Sequence, residues 1–402
     1  MDSNVLEVSR SRPSGSRIPM PMRSEKLDRA NQLLDELLET GKYPAIQVCI
    51  RHRGEIVLER ALGRYRPLAD GDRWRPATLD TRFLLFSVSK CITATALHLL
   101  FDRGEICVDD PVHWYIPEFA QHGKKWVTLR HILTHTAGIP MIFWHLDDAL
   151  IGDWDRIINQ ICQQQPVHFP GRHTSYHILS SGFLIGEVIR RVDGRDIGTF
   201  LRQEFLDPLE METFDYGIAK EHWGQTSRVE RVDDLPPKIF INLISRLIDV
   251  DLVEALSVLN RPAVYQAMIP AGNIVGTARE TSRFFQMLLN GGRWKDRQIL
   301  SERQVRRATV EQVLARRDWT LFLTPQRYSL GYMLGRRSTQ FNVFGKNTEE
   351  TFGHLGFTRV LGWANRKNRV AGAFLTNGLP IRPTREILIL RRFQDAIRQA
   401  FS

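Results

Sequence analysis

Apolar positions follow a helical period at the start of the chain, then alternate, turn helical through the middle and alternate again near the end. Leu27, Leu33, Leu34, Leu37 and Leu38 recur at helical spacing, with Ser24 able to cap the start and Gly41 to end the helix. Residues 1–23 carry Arg, Ser and Pro without an apolar segment and read as a flexible tail. Ala45–Arg51 and Glu55–Leu62, broken by Arg53-Gly54, predict a β-hairpin. The apolar run within Phe83–Arg103 predicts a helix that starts near Ser87 and stops at Gly104. Further helices are expected over Leu129–Thr134, Asp153–Gln164, Leu179–Val192, Ile197–Phe205 and Ala278–Leu289, the last ended by Gly291-Gly292. Residues 233–260 fit one or two helices with a wide apolar face. Strand character returns in Ser329–Leu334, Val360–Ala364 and Val370–Thr376, and Pro383 opens a last helix through Ala400.

Strands therefore lie towards both ends and helices between them. That order suits an α+β fold with one sheet assembled from both chain ends and a mainly helical insertion beside it. The expected division is a tail over 1–23, an α/β subdomain from 24–80 with 291–402, and a helical subdomain over 81–290. A cleft between the two subdomains is where a small-molecule site is expected.

Composition narrows the class. The 402 residues are 43% hydrophobic and 25% charged, as in a globular chain, which excludes a mainly disordered protein or a collagen-like fibre. The net charge is +10, but the arginines are scattered from Arg10 to Arg398 instead of forming a patch, so nucleic acid is not an expected partner. Cys49, Cys91, Cys107 and Cys162 are far apart with no C-x-x-C pair, so zinc-ribbon and redox sites are excluded and reduced, buried thiols are expected. No uncharged run reaches membrane-spanning length and residues 1–23 do not read as an export signal, so the expected location is the cytoplasm.

Three places could carry chemistry. In Ser87-Val88-Ser89-Lys90, residues three apart on a helix share a side, so the amine can reach the hydroxyl. A serine hydroxyl needs a base before it attacks, and a helix start favours negative charge developing on it. Chance supplies such a short pattern about once in a chain of this length, so it does not stand alone. Tyr176 falls in a loop after Pro170-Gly171, just before an apolar helix. A loop tyrosine is commonly a half-buried anchor, but beside a lysine ammonium its phenolate would be stabilised and could act as a base. His354, in Gly353-His354-Leu355-Gly356, reads as a core or edge-strand histidine, or as one lining a cleft. His131 and His135 are four apart, yet Ile132-Leu133-Thr134 between them lacks the acidic residue of H-E-x-x-H, so no metal is expected. There is no G-x-S-x-G elbow and no nucleotide-binding glycine fingerprint, and no cofactor is expected.

Taken in order, these pieces resemble the serine β-lactamase and penicillin-binding-protein superfamily, nearest to the class C-like branch that includes the family VIII carboxylesterases. The resemblance runs over residues 25–400. Phe83–Lys90 resembles the nucleophile motif, and Val127–Pro140, with Thr134-His135-Thr136-Ala137-Gly138, is its most specific stretch. Tyr176-His177 with Gly182–Glu187 resembles the esterase form of the tyrosine motif, and Ile269–Asn273 and Gly353–Gly356 follow in the expected order. The resemblance implies an antiparallel sheet with flanking helices and an inserted helical subdomain. It implies Ser87 as nucleophile, Lys90 and Tyr176 sharing the proton work, and the backbone N–H groups of Ser87 and Phe357 as an oxyanion hole. His354 and Gly356 would bind substrate, and His131 and His135 would be structural.

Two positions depart from the penicillin-binding pattern. Ile178 stands where an asparagine is usual, and His354 where lysine is common. A free histidine is mostly neutral at pH 7, so a fixed cation for a substrate carboxylate is missing. Both favour an ester substrate. The expected activity is that of a carboxylesterase working through an acyl-enzyme on Ser87. The same site could serve an acyltransferase, a peptidase or a β-lactamase, and an inactive scaffold would keep the fold without turnover. Pro140–Trp144 and Ile239–Leu247 could roof an acyl pocket, or equally form core or a homodimer contact.

Overall fold

The computed structural model of the protein describes residues 21–69, 71–140, 148–234, 258–321, 323–338, 342–380 and 385–402. Its centre is a nine-stranded antiparallel sheet. In spatial order the strands are Val313–Asp318, Thr324–Tyr328, Met333–Leu334, Thr351–Leu355, Leu361–Asn365, Val370–Thr376, Ala45–His52, Glu55–Tyr65 and Arg75–Pro76. The two ends of the chain meet where Ala45–His52 pairs with Val370–Thr376, Ile46 opposite Thr376 and His52 opposite Val370. The expected sheet from both ends is thus present.

Alternation along the strands sorts side chains to two cores. Ile46, Val48 and Ile50 pack with Leu33, Leu34 and Leu37 of the helix Pro21–Glu39 and with Ile389, Phe393 and Ile397 of Arg385–Ala400. On the other face, Ala45, Cys49, Ala371 and Ala373 join Phe284 and Phe285 of the helix Ala278–Leu289. Small residues on that face let the helix approach. A Cβ on Gly362 would lie 2.3 Å from Phe285 Cε2 and 2.9 Å from Val88 Cγ1.

Beyond this helix lies the helical part of the chain. The helix Ser89–Arg103 is buried along nearly its whole length, from Ser89 to Phe101, with Ser89, Lys90, Thr93, Thr95 and His98 buried among its apolar residues. Gly104 ends it in the left-handed conformation with φ 74, its N–H bonded to Leu100 and Phe101 carbonyls. The helices Trp154–Gln163 and Ser180–Asp193 match their sequence readings closely, and Ala278–Leu289 matches without an offset. Ile197–Leu201 runs into a π-helical turn, Arg202–Leu206.

Several expectations are corrected. The first helix begins at Pro21, so Ser24 lies inside it. The strand expected over Ser329–Leu334 is reduced to Met333–Leu334, because Ser329–Tyr332 forms a turn in which the Ser329 N–H bonds the Tyr332 carbonyl. Gly331 turns there with φ 97, and a Cβ on it would be 2.3 Å from Ala94 Cβ of the buried helix. The hairpin Val313–Tyr328 and the helix Glu302–Thr309 were not expected. Cys107 is exposed, while Cys49, Cys91 and Cys162 are buried and free. Among the described residues no helix is long and apolar enough to cross a membrane. The start of the tail, Met141–Trp144, Ile239–Leu247 and Pro383 lie outside the described residues.

Gly362→Ala should overpack the joint between the sheet and the helix Ala278–Leu289. The expected cost is about 1–3 kcal/mol, read as a lower midpoint in denaturant unfolding; an unchanged midpoint would show that Phe285 yields freely.

Candidate active site

Ser87 sits in a 3₁₀ turn, Phe86–Val88, that leads straight into the helix Ser89–Arg103. It is the half-exposed residue in an otherwise buried run from Thr81 to Phe101. Phe86 before it holds a left-handed φ of 46, a conformation that costs a bulky residue energy and is kept only where surrounding packing imposes it. The strand end at Gly356 packs against this turn. A Cβ there would fall 2.8 Å from the Leu85 carbonyl oxygen and 3.1 Å from Phe86 Cβ, so only glycine permits the approach. Phe357 follows, half exposed, with its ring edge-on to Phe86 at 5.9 Å.

Lys90 lies one turn further along the same helix, buried at 5% exposure. Its Nζ donates to Ser87 Oγ at 3.2 Å, to the Ile178 carbonyl at 2.7 Å and to the Ala271 carbonyl at 3.0 Å. Two distant segments supply those carbonyls. The turn bearing Ala271 is shaped by Asn273, whose amide donates to Val264 and Ala267 carbonyls at 2.7 Å while its oxygen accepts the Ile269 N–H at 2.8 Å. Gly182 lets the next helix close on that turn, since a Cβ there would lie 2.4 Å from the Ala271 nitrogen. Carbonyl acceptors favour an ammonium, but burial outweighs them and pulls the Lys90 pKa down to about 7.

Tyr176 is brought to the same place. The Lys90 ammonium lies over its ring, 4.9 Å from the centroid, and the Ser87 hydroxyl interacts with its phenol. Burial raises the phenol's pKa well above the usual range, more than the Ser87 contact lowers it, and nearby Asp318 raises it further. Of the two sequence readings of Tyr176, the phenolate base is the one these dry surroundings disfavour: burial raises the phenol's pKa, and the lysine is the group pushed towards neutrality.

The loop around Tyr176 is held through successive N–H groups. Ser175 donates to the His135 carbonyl at 2.8 Å, and Ile178 to the Pro140 carbonyl at 3.0 Å. Tyr176 donates to Asp318 Oδ1 at 3.0 Å and His177 to His135 Nδ1 at 3.1 Å. To face the loop with both carbonyl and ring, His135 takes a left-handed φ of 58. His131 Nδ1 accepts the Thr128 N–H at 3.1 Å in a capping box. Both histidines thus have structural partners, and no metal-binding cluster is found among the described residues.

His354, on the strand Thr351–Leu355, lies 5.8 Å from Tyr176 between ring centroids. Its Nδ1 donates to the Leu355 carbonyl at 2.8 Å, which leaves Nε2 as an acceptor, buried without a partner among the described residues. Burial, helped by the Lys90 charge, holds its pKa down at about 3, so it is neutral. Asp318 and Asn273 carry much of this arrangement. Asn273 belonged to a recognised stretch, whereas Asp318 stands 142 residues from Tyr176 with no local signal.

A nine-stranded antiparallel sheet against a helical region, with a serine and a lysine meeting at the joint, is the fold of the β-lactamase-like serine hydrolases. The chain belongs to the β-lactamase family, whose model matches residues 30–396. It is 28% identical over 330 residues to the esterase/β-lactamase LipL of Mycobacterium tuberculosis, covering 77% of this chain and 72% of that protein. It is 29% identical over 233 residues to the esterase EstB of Burkholderia gladioli, 52% of this chain and 57% of that one. A family VIII carboxylesterase crystal structure superposes with a TM-score of 0.79 at 24% identity, over 96% of this chain and 99% of that chain.

In NMR spectra of lysine-labelled protein, one side chain should titrate near pH 7 and disappear in Lys90→Met. Lys124, buried and held near pH 8, should remain. A Lys90 signal still fully charged at pH 9 would refute the dry-site account.

Proposed function

We propose that the protein is a carboxylic ester hydrolase that works through an acyl-enzyme on Ser87. The observation that carries this reading is the Lys90 amine at 3.2 Å from the Ser87 hydroxyl, in a site dry enough to bring its pKa to about 7. As Ser87 Oγ bonds to the acyl carbon, its proton passes to neutral Lys90. The bond to the alcohol oxygen breaks, the Tyr176 phenol gives that oxygen its proton, and Lys90 restores the phenol. Water then repeats the sequence in the opposite sense and frees the acid. The backbone N–H groups of Ser87 and Phe357 are the proposed oxyanion donors, a role supported by the close approach of Gly356 to Leu85 and Phe86.

Ester over amide or β-lactam is supported by the neutral, buried His354 and by Ile178, which offer no cation for a carboxylate and no side-chain amide. His354 and Gly356 form the strand wall against which the acyl group would lie. The two esterase relatives point the same way.

Turnover of p-nitrophenyl butyrate and fluorophosphonate labelling should both vanish in Ser87→Ala. Lys90→Ala and Tyr176→Phe should slow acylation by about 10²–10⁴-fold with the fold retained. Turnover of a chromogenic cephalosporin alone would instead favour a β-lactamase. The rate should climb with pH as Lys90 loses its proton, with a midpoint near pH 7. A profile flat from pH 5 to 9 would sink the lysine's role as base.

A further inference from the structure

Asp318 ends the strand Val313–Asp318 and is fully buried, although it belongs to a hairpin whose neighbouring Trp319 is half exposed. Its carboxylate gathers four donors. Oδ1 accepts the N–H groups of Tyr176 at 3.0 Å, Thr320 at 3.0 Å and Leu321 at 3.1 Å. Oδ2 accepts the Tyr328 hydroxyl at 3.1 Å. The Trp319 N–H also bonds the Thr174 carbonyl at 2.9 Å, so the hairpin holds the loop at Thr174 as well as at Tyr176's own N–H. His135 clamps the neighbouring Ser175 and His177 N–H groups from the opposite side. Of the three consecutive N–H groups from Ser175 to His177, the middle one depends on Asp318.

We propose that Asp318 is a positioning residue for the reaction at Ser87: its carboxylate sets where the Tyr176 hydroxyl stands by fixing the backbone beneath it. The proposal rests on the reading of Ser87, Lys90 and Tyr176 given above. A buried N–H without its acceptor seeks another partner, and the loop that carries it shifts. The phenol's reach to Ser87 is set by that loop, so a small displacement there is felt at the reacting hydroxyl.

The test compares the full-length protein with Asp318→Asn, Asp318→Glu and Asp318→Ala, and places Asp318→Ala in Tyr176→Phe as well. Asparagine keeps an oxygen for the three N–H groups, and its amide can donate to the Tyr328 hydroxyl. Glutamate keeps the charge but moves the oxygens by a methylene. With p-nitrophenyl butyrate, Asn should keep kcat within about twofold. Glu and Ala should lower kcat by about 10- to 100-fold with KM little changed. In the Tyr176→Phe background, Asp318→Ala should add less than about twofold. A folded Glu or Ala variant with full kcat, an Asn variant as slow as Ala, or a loss that multiplies fully with that of Tyr176→Phe would overturn the proposal. If Ala fails to fold, the contrast between Asn and Glu decides. If the parent protein cleaves no ester, or Ser87→Ala keeps turnover, the reading of the reaction fails instead. Positioning is then decided by crystal structures of parent and Asp318→Glu, where the Tyr176 hydroxyl should shift by about 1 Å relative to Ser87; an unmoved hydroxyl overturns it.

Discussion

A lysine amine is kept in a dry space between a serine hydroxyl and two backbone carbonyls, and much of the structure serves that placement. The carbonyls come from residues 88 and 181 positions away in sequence. An ammonium paired with a carboxylate would stay charged; one surrounded by neutral acceptors pays for its burial with its proton. The pKa near 7 follows from this choice of partners. The buried helix supplies the spacing, Asn273 shapes one carbonyl-bearing turn, and Gly182 lets the other segment close on it.

Tyr176 is placed by a different device. Its loop has little secondary structure of its own, so its N–H groups are satisfied by neighbours. His135 provides two acceptors at the expense of a left-handed backbone, and Asp318 provides a third from the opposite side. The other strained residue at the site is Phe86, directly before Ser87. Both strained residues adjoin the proposed chemistry, where surrounding packing imposes conformations that a free loop would leave.

The parts of the fold that could be read from the chain have strong local signals. Ala278–Leu289 has a helical stripe and a Gly-Gly stop, and Val370–Thr376 is a run of small and branched apolar residues; both match the structure without an offset. Val313–Asp318 carries two arginines and an aspartate in six positions, so neither period nor propensity marks it as a strand. It is one because Thr324–Tyr328 pairs with it at the edge of the sheet. The turn at Gly331 was likewise invisible, since Ala94, which it packs against, lies on a helix more than two hundred residues earlier.

At the site, the chain alone settled which side chains are available: a serine and a lysine three apart, a tyrosine after a Pro-Gly turn with an isoleucine two residues on, and a histidine between glycines. Those are statements about identity and short spacing, which covalent connectivity and helical geometry fix. Protonation was decided by the folded surroundings. From the chain alone the phenol could be an anchor or, beside an ammonium, a base; in the folded surroundings burial raises its pKa and lowers that of the lysine. Burial and hydrogen-bond partners are properties of segments far apart in the chain, and Asp318 beside Tyr176 exists as a neighbour only once the sheet edge has folded against the loop.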